Sequence, residues 1–122
     1  MSTSLEIHLE AMEAAQKAAK EFFDAHGEPM FCGFAWIKIS NCNKNPNKRF
    51  IQDMKVAKSK SGRSIAVAGY EGGYEISTPA YDLDMIGWKY QQSMDIKEAA
   101  CGAYAKVLIE HGIDAFMRSR PD

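Results

Sequence analysis

The sequence lacks the motifs of the common catalytic and phosphate-binding sites. It contains no G-x-S-x-G, no G-x-x-x-x-G-K-[ST] and no G-x-G-x-x-G, so it has neither a hydrolase nucleophile elbow nor a glycine loop that holds nucleotide phosphates. Its three histidines show no H-x-x-x-H or H-E-x-x-H spacing, and its three cysteines form no C-x-x-C pair. These spacings predict no metal site and no cofactor, and free thiols are typical of a reducing compartment.

The sequence also lacks a surplus of basic residues and a long apolar run. Among its 122 residues, 15 Lys and Arg stand against 16 Asp and Glu, for a formal net charge of -1. Proteins that coat DNA or RNA carry a clear basic surplus, so we expect no general nucleic-acid binding. No apolar run is long enough to span a membrane, and the first residues show no signal-peptide pattern. We expect one soluble domain over residues 1–122, located in the cytoplasm.

The first helix is predicted from Ser4 to His26. Thr3 and Glu6 fit a capping box, and Gly27 follows as a stop signal. Apolar residues recur at helical spacing and are predicted to face the core: Leu5, Leu9, Met12, Ala15, Ala19, Phe22 and Phe23. A second line of small residues would let another helix or subunit approach closely: Ala11, Ala14, Ala18 and Ala25. With an apolar content of 46%, this line predicts a homo-oligomer.

The stretch from Met30 to Ser40 is dense in aromatic and β-branched residues, which predicts a central strand that is apolar on both faces and buries Phe34 and Trp36. Periodicity and turn residues assign the remaining segments: a helix from about Lys48 to Lys58 that Asn47 caps, a hairpin or bent strand from Ser64 to Thr78, a loop from Pro79 to Ser93, a helix from about Asp95 to His111 and a last strand from Ile113 to Ser119. The predicted fold is α/β (α+β), with three helices on a small mixed sheet.

Two arginines at the end of the last strand are the leading candidates for ligand binding. Arg118 and Arg120 alternate, so a strand directs both to the same side, and planar guanidinium groups bind phosphate well. Ser119 adds a hydroxyl group. Aromatic residues that could stack on a base are Trp88, Tyr74 and Tyr90. Polar residues just before a predicted helix N-terminus complete the site with donors for anionic oxygens: Gln91, Gln92 and Ser93.

Two other classes of function are also open at this point. Aromatic side chains and an acidic cluster are ordinary interface chemistry, so the chain could instead inhibit another protein by binding it directly. That cluster consists of Glu71, Glu75, Asp82 and Asp84. An enzyme would need a nucleophile, a base and an orienting group placed together, and no spacing in the sequence places them so. We therefore expect a protein that is not an enzyme.

Three stretches carry a resemblance to a known group of proteins: "FCGFAW" at 31–36, "QSMDIKEAA" at 92–100 and "HGIDAFMRSRPD" at 111–122. The chain resembles small accessory proteins encoded by tailed bacteriophages and prophages, which share a G-F-A-W strand, a Q-S-M-D lead into an alanine-rich helix and a terminal G-I-x-A-x-x-x-S-R-x-D. Gly112, Ser119, Arg120 and Asp122 fit this pattern. At 116–118 the chain departs from it with larger residues.

The resemblance implies a phage or prophage setting, in which small proteins often counter bacterial defence. Combined with the arginines and the aromatic loop, it predicts a protein that sequesters a nucleotide-derived signal of bacterial immunity without turning it over. The alternative in the same setting is an inhibitor of a host defence protein, of the anti-CRISPR or anti-restriction type.

Overall fold

A computed structural model describes residues 2–26, 33–59, 62–69, 72–81 and 94–121. Within those residues the elements in chain order are α1 (Ser4–His26), β1 (Gly33–Ile39), α2 (Asn47–Val56), β2 (Ala66–Ala68), β3 (Tyr74–Ile76), α3 (Thr78–Tyr81), α4 (Met94–Glu110) and β4 (Ala115–Pro121). They form one compact α+β arrangement, as predicted. The short α3 lies in the segment that was predicted to be a loop.

Helix α1 begins with the predicted capping box. The Thr3 N–H donates to Glu6 Oε1 at 2.9 Å, and the Glu6 N–H donates to Thr3 Oγ1 at 3.1 Å. The predicted core stripe is wrong at its start, because Leu5 and Leu9 are 55% and 57% exposed. The buried line is instead rotated around the helix and consists of Ser4, Ile7, His8, Ala11, Ala15 and Ala19. Its alanines lie where α1 packs on α4, so Ala11 serves a contact within the chain.

The four strands form one sheet in the order β2-β3-β1-β4, with every neighbouring pair antiparallel. The sheet is therefore not mixed, although β1 is central and β4 lies beside it as predicted. The reason is the position of β1: α4 connects β3 to β4, and β1 is inserted between those two strands and runs against both. The element order from β1 to β4, with the short α3 aside, is that of the split βαβ motif.

The two faces of the sheet differ in what covers them. Residues that lie directly opposite each other in an antiparallel pair share a face, and alternate residues of a strand point to opposite faces. Ala35, Ile37 and Ile39 of β1 are almost fully buried and face α4, which packs on β1 and β4. Phe34 and Trp36 lie on the opposite face and are half-buried, so they are not the core residues that were predicted.

Asn47 does not cap α2 with its side chain as predicted. Pro46 occupies the cap position, and the Asn47 amide is buried between the ends of β1 and β4. Its Nδ2 donates to Ser40 O at 3.1 Å and to Asp114 Oδ2 at 2.9 Å, while its Oδ1 accepts the Asp114 N–H at 3.0 Å. The Asn47 side chain thus links Ser40 after β1 to Asp114 before β4, and so fixes where β4 begins.

The interface between α1 and α4 contains a buried polar pair. The Nδ1 of His8 and the hydroxyl group of Tyr104 are 2.7 Å apart, and Tyr104 is fully buried. A buried hydroxyl needs such a partner to offset its desolvation. In the part of the chain that the structure describes, no helix is both long and apolar enough to cross a membrane.

Candidate ligand-binding face

Three alternate residue pairs of β1 and β4 form part of the face of the sheet opposite the helices. Phe34 is paired with Arg120, Trp36 with Arg118, and Lys38 with Phe116. Each pair therefore places one aromatic side chain directly across from one cation. Successive pairs are two residues apart, or about 6.7 Å along the strand. We call these six residues the cation–aromatic face.

Arg120 lies over an aromatic ring. Its guanidinium carbon is 5.3 Å from the centroid of the Phe34 ring, and the Nζ of Lys97 is 5.5 Å from the same centroid. Both distances are within the range of cation–π attraction. Two cationic side chains thus lie within reach of one ring near the start of β1.

Lys97 is the functional candidate that sequence analysis missed. It lies on α4 and is only 3% exposed, and its Nζ donates to Gly33 O at 2.9 Å. A Cβ at Gly33 would lie 2.8 Å from both Arg120 O and Met94 Cβ, so the absence of a side chain there lets α4 and β4 approach. The signal in the sequence is a lysine on the core-facing side of a helix, since a buried lysine needs specific partners.

Ser119 is held by α4. Its hydroxyl donates to Glu98 Oε2 at 2.6 Å, a charge-assisted bond that is shorter than a neutral one. Ser119 alternates with the arginines and points to the helix side, so it fixes β4 against α4 and does not lie beside Arg118 and Arg120. The predicted role of its hydroxyl as a ligand contact is therefore not supported by its position.

Arg118 and Arg120 are both exposed, with side chains on the same face, as the two-residue period predicts. The guanidinium carbon of Arg118 is 6.0 Å from the centroid of the Phe116 ring. Opposite Arg118, the indole Nε1 of Trp36 is buried and has no hydrogen-bond partner among the described residues. A buried donor without an acceptor costs about 1–3 kcal/mol, so an acceptor that reached this atom would be favoured.

Tyr74 is not brought to the arginines. It is paired with Ile39 in β3 and therefore points to the helix side, where it packs against the core with Lys55 Nζ 5.4 Å from its ring centroid. The other predicted contacts lie outside the described residues: Trp88, Tyr90, Gln91, Gln92 and Ser93. The aromatic partners of the arginines on the described face are residues of the strands themselves.

The acidic cluster is described at only one of its four residues. Glu75 lies opposite Lys38 across the β1–β3 pair and opposite Val67 across the β2–β3 pair. It therefore borders the cation–aromatic face on the side away from Arg120. Glu71, Asp82 and Asp84 lie outside the described residues.

The reactive groups of the described chain are distant from this face or inert. Cys101 is fully buried in α4, and burial raises the pKa of its thiol to about 12, which leaves almost no thiolate at neutral pH. Burial also raises the pKa of the Tyr104 hydroxyl. Over the described ranges, no group of three or more histidine, cysteine or acidic side chains is placed to hold a metal ion.

Comparisons of the chain with family models, with curated proteins and with solved structures give no match.

Proposed function

We propose that this protein binds a small, nucleotide-derived anion on the cation–aromatic face and holds it without turnover. The observation that supports the proposal most is that three alternate β1–β4 pairs each join one aromatic side chain to one cation. A nucleotide has two recognisable parts, a planar base and a charged phosphate. Aromatic rings stack on the first, and guanidinium groups donate paired hydrogen bonds to the second.

Arg120 is the anchor for phosphate in this proposal. It is exposed and lies over Phe34, so its guanidinium group can reach a bound phosphate. Phe34, Trp36 and Phe116 are the described rings available to a base. The proposal also includes residues predicted from the sequence: Trp88 as a further ring for the base, and the polar residues 91–93 as donors to anionic oxygens.

Retention without chemistry is part of this proposal, and the orientation of Glu98 supports it. Glu98 lies close to β4, and its carboxylate accepts the Ser119 hydroxyl on the other side of the sheet. A general base must reach the proton that it removes, and Glu98 faces away from Arg118 and Arg120. A sequestering protein needs affinity alone, which charge and stacking supply.

The biological setting of the proposal comes from the resemblance to phage and prophage accessory proteins. In that setting the protein acts in the cytoplasm of a bacterial host, as a homo-oligomer, and lowers the free concentration of a nucleotide signal of immunity. Sequestration is stoichiometric, so its effect depends on the amount of protein and on the dissociation constant.

The test is to identify what the protein retains and what it binds. Protein purified from infected cells is heated, and the released material is measured by ultraviolet absorbance and mass spectrometry. The wild type and Phe34→Leu are then titrated calorimetrically with cyclic ADP-ribose isomers and cyclic di- and trinucleotides. We expect one ligand to be released and to bind again unchanged, with at least tenfold weaker binding by Phe34→Leu. Conversion of the ligand during incubation would contradict retention without turnover.

A second candidate is direct inhibition of a host defence protein. It is favoured by the exposure of Phe116 and Val67, which are 40% and 46% exposed on the same face, because exposed apolar side chains ringed by charges are typical of interfaces. A pull-down from host lysate separates the two candidates. A stoichiometric host protein retained by the wild type and lost in Phe116→Ser, together with no nucleotide bound, would favour inhibition.

A further inference from the structure

Strand β4 has an outer edge that no other described strand pairs with, because the sheet order is β2-β3-β1-β4. The edge is seven residues long, from Ala115 to Pro121. Unpaired N–H and C=O groups along such an edge readily accept another strand. The question is which strand the charges and the hydrogen-bonding pattern of β4 fit.

The direction of the free backbone groups follows from one hydrogen bond. The Ser40 N–H donates to Asp114 O at 3.1 Å, and this pair continues the β1–β4 register by one residue. Hydrogen-bonded and non-bonded pairs alternate in an antiparallel ladder. The even-numbered residues of β4 therefore direct their backbone groups toward β1, and Ala115, Met117 and Ser119 direct theirs to the outer edge.

A second copy of the chain satisfies this edge when two β4 strands pair antiparallel with Met117 at the centre. Met117 then faces Met117 of the second copy, and Ala115 faces Ser119 of the second copy. The backbone groups of all three outward residues are then hydrogen-bonded. The three facing pairs (Ala115 with Ser119, Met117 with Met117 and Ser119 with Ala115 of the second copy) have two hydrogen bonds each. If the register shifts to the next bonded pair, some of the outward backbone N–H and C=O groups at the ends of β4 have no hydrogen-bond partner in the second copy.

The same register matches the side chains on the cation–aromatic face. Asp114 lies opposite Arg120 of the second copy, and Phe116 lies opposite Arg118 of the second copy. Opposite charges across a strand pair are stabilising and like charges are not. Centring the pair on Arg118 would place two arginines face to face, whereas the Met117 register pairs every cation with a carboxylate or a ring.

The structure has room for the incoming strand at Asp114. A cleft of about 460 Å³ lies there, with Ile109, Asp114, Ala115 and Phe116 among its lining residues. Ile109 is 56% exposed, so an incoming strand would cover part of its side chain. Hydrogen bonds from Asn47 and Asn41 hold the pKa of Asp114 below its usual range, so the carboxylate is charged at neutral pH.

We propose that two copies of this chain form a dimer by antiparallel β4–β4 pairing centred on Met117, with Asp114 of each copy bound to Arg120 of the other. The pairing joins two four-stranded sheets into one of eight strands and continues the cation–aromatic pairs across the junction. A guanidinium group has five N–H donors, so Arg120 keeps donors for a phosphate. The dimer stands on the free edge of β4 and does not depend on the ligand proposal.

The first test measures mass without any nucleotide present. Sedimentation equilibrium of the full chain from 1 to 100 μM is compared for the wild type, Arg120→Glu and Arg63→Glu. Arg63 is exposed, and it lies in the turn between α2 and β2, so it controls for the change of charge. We expect a dimer for the wild type and the control, and a dissociation constant raised at least tenfold by Arg120→Glu. A monomer at 100 μM would overturn the proposal.

The second test measures the register by disulfide cross-linking under mild oxidation, scored above the wild-type background. Met117→Cys should cross-link to itself, because facing residues at a bonded pair have Cα atoms about 5.5 Å apart, which suits a disulfide. Ala115→Cys and Ser119→Cys should each stay uncross-linked, whereas an equimolar mixture of the two should give a heterodimer. Cross-linking of either single variant to itself, without Met117→Cys, would overturn the register.

The two proposals fail separately. Met117 points to the helix side and touches no part of the cation–aromatic face, so Met117→Pro should abolish the dimer while a monomer still binds nucleotide. Phe34→Leu should weaken nucleotide binding and leave the dimer mass unchanged. A dimer that persists in Met117→Pro, with a thermal melt like that of the wild type, would contradict the edge pairing.

Discussion

The two faces of the sheet are built from alternate residues of the same strands, yet only one of them packs against the described helices. Ile37, Ile39 and Ile76 face the helices and are fully buried, so aliphatic packing within the chain determines them. On the opposite face, Phe34, Trp36 and Phe116 alternate with cations and stay half-buried or exposed. The described helices cover one face, and no described helix covers the aromatic and charged groups of the other.

This difference separates stability from binding at neighbouring positions of one strand. A change on the helix side should lower the free energy of unfolding and affect binding only through folding. A change on the cation–aromatic face should affect binding while the fold persists. Large aromatic residues are thus not the main source of stability in β1, although their size suggests that they are.

The largest expected loss of stability follows from Ile37→Ala. Ile37 is fully buried between α4 and the neighbouring strands, so the change leaves a cavity and should cost about 2–5 kcal/mol. A thermal melt should show a midpoint lower by roughly 10 °C or more. A midpoint within a degree or two of the wild type would show that the helix-side face does not carry the stability of the sheet.

Phe34→Ala should cost less, although it removes more atoms. Replacing a fully buried phenylalanine with alanine lowers the free energy of unfolding by about 3–5 kcal/mol. Because Phe34 is half-buried, we expect about half of that loss. The measurement is a pair of urea unfolding curves for Phe34→Ala and Ile37→Ala under the same conditions. If Phe34→Ala is the more destabilising of the two, the distinction between the faces fails.

Asp114→Asn should change how stability depends on pH. Hydrogen bonds from Asn47 and Asn41 lower the pKa of Asp114 in the folded protein, so its contribution is complete above the unfolded pKa and is lost as pH falls through the folded value. The difference in melting midpoint between wild type and variant should therefore be largest near pH 7 and shrink below about pH 4. A difference that is constant between pH 7 and pH 3 would contradict this.

Ser119→Ala should have the smallest effect of the four. It removes one partly buried hydrogen bond to Glu98, which is worth about 1 kcal/mol, and the change lies on the helix side. Binding of nucleotide should stay within twofold of the wild type, as judged by calorimetry. A tenfold loss of binding would return Ser119 to the ligand site that the sequence predicted.

The sequence predicts the positions of the long elements well, because their signals are local. The bounds of α1, its capping box and the hairpin of β2 and β3 depend on residues close together in the chain. The prediction of a mixed sheet is wrong, because no local sequence pattern shows that β1 is inserted between β3 and β4 and runs antiparallel to both. The rotation of the buried stripe in α1 escaped prediction too, because alanine packs closely against α4 where leucine was expected.

Only the local part of the candidate site could be predicted from the sequence. The alternation of Arg118 and Arg120 is a local pattern, and both side chains do share a face. Their described partners, Phe34 and Lys97, come from segments far away in the sequence. Proximity of that kind depends on strand register and helix placement, which the period of a single segment cannot supply.

The most direct test of the binding account compares two arginines of the same chain. Arg120→Ala and Arg63→Ala remove the same side chain from the cation–aromatic face and from a distant exposed turn. Calorimetric titration with cyclic ADP-ribose isomers and cyclic di- and trinucleotides should show binding weakened roughly ten- to a hundredfold by Arg120→Ala, which corresponds to about 1.5–3 kcal/mol for one charged contact. Arg63→Ala should bind like the wild type. Equal affinities for Arg120→Ala and the wild type would contradict the account.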